Sequence, residues 1–402
     1  MRCIRLLFVA SLVTWQTSVF AEMSHNHASE AACEQIELRC ASKVTPAFGP
    51  DGTLWLAWMA GGQVLVASSH DEGHSFSDPV QVTREKLDLD WGPDSRPKIV
   101  VDREGRIALA FSFFKDKSFN GEVLFTRSTD GGKSFAEPQP ITVDKESQRF
   151  ETLALDADGT LFAAWLDKRN RAAARESGQK YEGAALVFAV SRNGGTSYSD
   201  AVMVKDNTCE CCRIAVAFDG PGKPVVLFRN IFEGSMRDHA VVAFNDLTTP
   251  GEVHRVSVDD WQLSACPHQG PSLAIGQGGS FHAVWSTNGR VRKGLFYARS
   301  ADRGQTFSEP LPIGQADHAP SRPYVLAGPN GLALVWKEFD GEKTTVDLML
   351  SHDNGANWSE PRSIATTTDA SDHPLLISDG HRTYLSWMTK ADGYRLLPLE
   401  AE

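Results

Sequence analysis

Short apolar runs, bounded by Gly, Asp and Asn, fill the chain from about residue 43 onward and recur with a period. One set opens near Lys43, Arg96, Phe150, Cys212, Gly270, Arg322 and His373, at gaps of 53, 54, 62, 58, 52 and 51 residues. A second set follows: Leu54–Trp58, Ala108–Phe111, Leu161–Trp165, Val225–Phe228, His282–Trp285, Ala333–Trp336 and Tyr384–Trp387. Runs this short, rich in β-branched and aromatic residues and flanked by turn formers, read as strands. Each unit predicts a first strand, a Gly/Asp turn, a second strand rich in Trp or Phe, a third strand and a short fourth. A repeat of this length is one supersecondary unit that needs its neighbours to bury its faces.

A short phrase joins the third strand to the fourth in five units. It reads Ser69-His-Asp71-Glu-Gly73-His-Ser-Phe76, Ser128-Thr-Asp130-Gly-Gly132-Lys-Ser-Phe135 and Ser191-Arg-Asn193-Gly-Gly195-Thr-Ser-Tyr198. It returns as Ser300-Ala-Asp302-Arg-Gly304-Gln-Thr-Phe307 and Ser351-His-Asp353-Asn-Gly355-Ala-Asn-Trp358. The short carboxylate bonds nearby backbone N–H groups, the Gly accepts positive φ, and the aromatic folds back on the turn. The fourth unit carries Phe244-Asn-Asp-Leu-Thr-Thr-Pro-Gly instead, and the seventh has neither the phrase nor a fourth strand. Gln35–Ala41 is available to supply that strand. The expected fold is therefore all-β: a propeller of four-stranded antiparallel blades, seven preferred over six, closed by the N-terminal strand, as one domain over residues 35–402.

Residues 1–21 read as a signal peptide. Arg2 and Arg5 precede a short apolar run, Leu6–Val13, and Val19-Phe20-Ala21 suits cleavage. The run is too short to span a bilayer. Residues 22–34 form a polar tail. The mature chain is expected to be periplasmic or secreted, and monomeric. A net charge of −11 speaks against nucleic acid and anionic membrane as partners, though not against a small anion held by local charge.

The repeat also sorts residues between two faces. The phrase turns fall on one face, and the starts of the first strands fall on the other, around the central channel. Those starts are polar: Asp94-Ser95-Arg96, Gln148-Arg149, Cys211-Cys212-Arg213, Pro267-His268-Gln269, Ser321-Arg322 and Asp372-His373. Second strands end on Arg229-Asn230 and Lys337-Glu338. Arg96, Arg149, Arg213, Arg229 and Arg322, with His373, are candidates to bind a carboxylate, sulfate or phosphate, because guanidinium groups grip such anions bidentately. The alternative is that each pairs with a blade carboxylate.

Six Cys remain after the signal peptide. Cys33 and Cys40 are close enough in sequence to close a small loop. Cys209-Glu-Cys211-Cys212 opens the fourth unit and Cys266-Pro-His268 the fifth, so a propeller makes them neighbours. Two readings stay open: two disulfides stitching the blades, or thiolates that with His268 hold copper(I) or zinc.

The Ser-x-Asp-x-Gly-x-x-aromatic phrase resembles the Asp-box, or BNR, repeat of the sialidase superfamily, over almost the whole mature chain. Sialidases have six blades, so a count of seven departs from them. The resemblance implies an arginine triad on a sugar carboxylate, here Arg96 and Arg322 with Arg213 or Arg229. It also implies Asp94 as acid and Tyr324 or Tyr394 as nucleophile, with Glu338 or Glu151 as its partner. No diagnostic catalytic motif accompanies these residues. Three functions remain: a propeller that binds or hydrolyses an anionic glycan, a soft-metal protein using the Cys cluster, and a non-catalytic interaction propeller.

Overall fold

The computed structural model describes residues 36–92, 94–263 and 265–399. The expected signal peptide, the polar tail and Cys33 lie outside them. Seven antiparallel sheets follow one another in chain order, six of four strands and the last of three. Their inner strands are Val44–Phe48, Lys98–Val101, Gln148–Leu155, Ala215–Phe218, Ser272–Ile275, Ser321–Gly328 and Leu375–Ser378. Each inner strand touches the next, and the last touches the first, so the ring is closed. The seven-bladed, nearly all-β fold anticipated from the spacing is present.

The core lies between blades. Seven apolar clusters fill the seven blade interfaces, with side chains drawn from both neighbours. The second strands supply the largest members: Trp58, Phe111, Trp165, Phe228, Trp285, Trp336 and Trp387 are all at most 1% exposed. A buried indole N–H needs an acceptor. Trp285 donates to Asp259 (2.8 Å), Trp336 to Glu338 (2.8 Å) and Trp387 to the Asp372 carbonyl (3.0 Å).

The five phrase turns share one geometry. In blade 2, Ser128 Oγ donates to Asp130 (2.8 Å) and accepts from Gly132 N (2.9 Å), while Asp130 accepts from Ser134 N (3.0 Å) and Ser134 Oγ (2.6 Å). The Ser134 hydroxyl and its companions hold the Asp130 pKa down to about 2. Each turn lies against the preceding blade's first hairpin. Arg303 in blade 5 pairs with Asp219 of blade 4 (2.9 Å), and Glu72 in blade 1 with Arg382 of blade 7 (2.5 Å).

One expectation fails. Residues 36–41 do not add a fourth strand to blade 7. Leu38–Cys40 forms a 3-10 turn closed by Ala41 N donating to Leu38 O (2.9 Å). Its neighbours Ile36 and Leu38 pack as a plug into the cluster between blades 7 and 1, and Trp58 Nε1 donates to Ile36 O (3.3 Å). Cys40 is disulfide-bonded. The segment half-buries its apolar side chains against blades 7 and 1 rather than pairing along the edge of blade 7. A polar clasp secures the seam instead. Asp372 of blade 7 accepts from Val44 N of blade 1 (3.0 Å) and from both ends of the Arg96 guanidinium before blade 2 (2.6 and 3.1 Å).

Candidate functional site

A cavity of about 250 Å³ opens among the inner strands, on the face where they begin. Asp94, Arg96, Lys98, Arg213, Arg322, Tyr324 and His373 line it, over an apolar floor that includes Ile99, Val216 and Leu273. Successive side chains alternate along an extended backbone. Asp94, Arg96 and Lys98 therefore share one side, while a register shift in blade 6 brings Arg322 to the same cavity as Tyr324.

Asp94 is the hub. Its side chain is fully buried and accepts from Arg213 Nη1 (2.9 Å), Arg213 N (3.3 Å), Gly270 N (2.6 Å) and Arg322 Nη1 (3.3 Å). One carboxylate thus ties the approach to blade 2 to blades 4, 5 and 6. Gly270 has to be glycine, because a Cβ there would lie 2.2 Å from Arg213 Cγ. Arg322 sits at a register shift in blade 6 with φ of 58°, in the left-handed region that costs an L-residue energy. Such strain persists only where the surroundings over-determine it, and here it carries a guanidinium to Asp94 and to the His268 carbonyl.

The cavity is electropositive. Arg96, Lys98, Arg213, Arg322 and the neighbouring Lys337 face Asp94, Asp372 and Glu151, an excess of two positive charges. Burial pushes the Lys98 ammonium down to about 8, with Glu151 opposing. Burial likewise raises the Glu151 carboxyl to about 7, with Lys98 opposing. Lys337 falls to about 8 for the same reason, with Asp372 opposing. His373 is held well below its ordinary value by burial and by Arg322, Arg96 and Arg213, so its imidazole is neutral at pH 7. Burial raises the Tyr324 hydroxyl, which keeps its proton.

Not every sequence candidate reaches the cavity. Arg149 pairs with Asp90 (2.6 and 2.9 Å) and lies over Phe114 and Phe150. Arg229 is spent on the carbonyls of Arg237, Gln269 and Ser286 and lies 4.5 Å over Trp261, which is buried as packing. Glu338 does not line the cavity that holds Tyr324. Its oxygens accept from Gln315 N (2.8 Å) and Trp336 Nε1 (2.8 Å) and meet His318 Nδ1 (3.2 Å). Tyr394 packs edge-on to Phe76 between blades 7 and 1. Lys98 escaped the sequence reading, and Lys337 entered it only as the end of a second strand. The signal for Lys98 was present, since it stands two residues beyond Arg96 on the same side.

The four remaining cysteines come together as free thiols. Cys209, Cys211 and Cys212 are buried, with all three sulfurs within 4.8 Å of one another and Cys209 to Cys211 at 3.5 Å. Cys266 reaches the group through Cys211. Of the two readings, the pair of disulfides is not formed, and only one of the pair could have joined the blades, because blade 5 contributes only Cys266. Arg237 Nη1 donates to Cys209 Sγ (3.3 Å). Hydrogen bonds from Cys211 and Cys212, with Arg229 and Arg237 nearby, hold the Cys209 thiol well below its ordinary pKa. His268 is not one of the close-set ligand group; its ring lies 5.8 Å from that of Phe150.

No family model and no curated protein matches the chain. Solved structures do, at low identity. A polysaccharide lyase, an ulvan lyase bound to a GlcA(1-4)Rha3S unit, is 11% identical with a TM-score of 0.58, over 89% of this chain and 94% of its own. A protein of unknown function from Dyadobacter fermentans is 18% identical with a TM-score of 0.55, over 79% of this chain and 94% of its own. A Hadza microbial sialidase is 12% identical with a TM-score of 0.52, over 86% of this chain and 76% of its own. The likeness is one of fold alone: the chain has a β-propeller fold similar to these structures.

Proposed function

We propose that the chain is an exported, carbohydrate-directed propeller whose central cavity takes the acidic residue of an anionic glycan, through a carboxylate or a sulfate. One observation carries the reading. Arg96, Lys98, Arg213 and Arg322 converge on a small cavity from blades 2, 4 and 6, against a single lining carboxylate, Asp94. Both hydrogen bonds of Arg322 use Nη1, which leaves Nε and Nη2 for an anion. Neutral His373 and protonated Tyr324 suit sugar hydroxyls. The sialidase and the ulvan lyase among the structures of like fold support a saccharide rather than another small anion.

The cavity also holds the two groups that sialidase-type hydrolysis would use, Tyr324 as nucleophile and Asp94 as acid, but not Glu338 as the nucleophile's partner. Binding is therefore the primary reading, and hydrolysis is its extension. Calorimetry on acidic saccharides and their methyl-esterified or desulfated counterparts tests it. We expect binding of the acidic forms alone, weakened by salt. Arg322→Ala should cost about 10–100-fold in affinity, the loss of one charge-assisted hydrogen bond. Equal binding of the neutral forms would defeat the proposal. Turnover of a fluorogenic sialoside, abolished by Tyr324→Phe, would establish the hydrolytic extension.

A further inference from the structure

The thiol cluster lies outside the cavity and plays no part in its chemistry. Three of its sulfurs come from one short segment, Cys209 to Cys212, and the fourth arrives from the next blade. Two disulfides would force at least one pair inside that segment, closing a loop of four residues or fewer. The structure leaves all four reduced instead, gathers three of them at one point and sets Cys266 against Cys211.

Their spacing suits a metal. An ion about 2.3 Å from each sulfur sets the sulfurs about 3.8 Å apart in tetrahedral geometry and about 4.0 Å apart in trigonal geometry. The observed separations, from 3.5 Å up to a limit of 4.8 Å, bracket both values. Charge agrees. Zinc(II) with four thiolates, or copper(I) with three, carries two net negative charges. Arg237, on Cys209 Sγ at 3.3 Å, and Arg229 beside it supply two positive ones. Thiolates select such ions over hard cations.

We propose that Cys209, Cys211 and Cys212, with Cys266, bind one thiophilic d10 metal ion where blades 3 and 4 meet, Cys266 reaching in from the approach to blade 5. The site precedes Arg213 directly, so the ion fixes the segment that delivers an arginine to the cavity.

The test uses the untagged chain, isolated without chelator under argon and assayed for metal by mass spectrometry and X-ray absorption. The expected result is one copper or zinc per chain, in a shell of three or four sulfurs at about 2.3 Å. Cys211→Ser should weaken binding by more than about 100-fold, beyond what the loss of an outer-shell partner costs. Cys266→Ser separates the two ions, because a three-sulfur copper(I) site keeps its metal and a four-sulfur zinc site loses it. Both outcomes uphold a d10 site. The wild-type measurement is decisive even where a variant misfolds. Recovery of the four sulfurs as two disulfides, or no uptake of copper(I) or zinc(II) by the reduced chain, would overturn the proposal.

Discussion

Asp94→Ala is the sharpest probe of how the cavity is built. The change removes the acceptor of four hydrogen bonds from three blades. It leaves Arg213 and Arg322, each 17% exposed at the side chain, without their shared counter-charge, and it orphans the buried Gly270 N–H. Breaking a buried ion pair from one side costs about 3–5 kcal/mol, and an unsatisfied N–H adds about 1–3 kcal/mol. Water entering the open cavity offsets part of this, so about 4 kcal/mol is expected. An unfolding entropy of about 2.1 cal/mol/K per residue, over roughly 360 described residues, is about 0.8 kcal/mol/K, so Tm should fall by about 5 °C. Scanning calorimetry reads this directly. A second substitution, Arg322→Met, should recover part of the loss, because an apolar side chain removes one stranded charge. A single variant melting within about 1 °C of wild type, well inside that Tm scale, would show that Asp94 is not the hub described here.

Four further outcomes follow from the same geometry. Glu151, raised from its ordinary 4.5 to about 7, binds its proton more tightly in the folded chain. Its contribution to stability is therefore full below pH 4.5 and lost as pH rises towards 7; denaturant titrations across that window should show the decline flattened in Glu151→Gln. Lys98, lowered from 10.5 to about 8, acts in the opposite sense: stability should rise between pH 8 and 10.5, and Lys98→Met should remove the rise. Gly355→Ala should destabilise strongly, since its Cβ would meet Tyr297 Oη at 1.9 Å with φ at 78°. Gly131→Ala, which meets open space at φ of 70°, should lose only the backbone term of about 1 kcal/mol. Asp130→Ala should lower Tm through its lost turn bonds while leaving saccharide affinity unchanged, because its turn lies on the opposite face; a change in affinity would contradict that placement.

Seven blades were legible because the information is local. A Ser-x-Asp-x-Gly turn bonds within its own residues, as Ser128, Asp130 and Ser134 do, and a Trp or Phe on each second strand marks the interface it fills. The polar starts of the inner strands were legible too, through alternation. The pairings that organise the cavity were not. Asp94 meets Arg322 across 228 residues and Arg96 meets Asp372 across 276, and no local pattern distinguishes them from Arg149 or Arg229, whose charges are spent on blade contacts. The N-terminal strand failed because an apolar segment near an open edge can pair with it or plug beneath it, and the choice depends on the space that blades 7 and 1 leave.

The clasp at Asp372 has a consequence in time. During synthesis Arg96 emerges long before its partner, and until Asp372 follows 276 residues later its guanidinium has no carboxylate to close upon. Six blades can stack on one another as they emerge, yet none of them can finish the central cavity. Completion of the cavity and circular closure arrive as one event. A nascent or truncated propeller should therefore lack the ordered cavity wall that the closed ring presents.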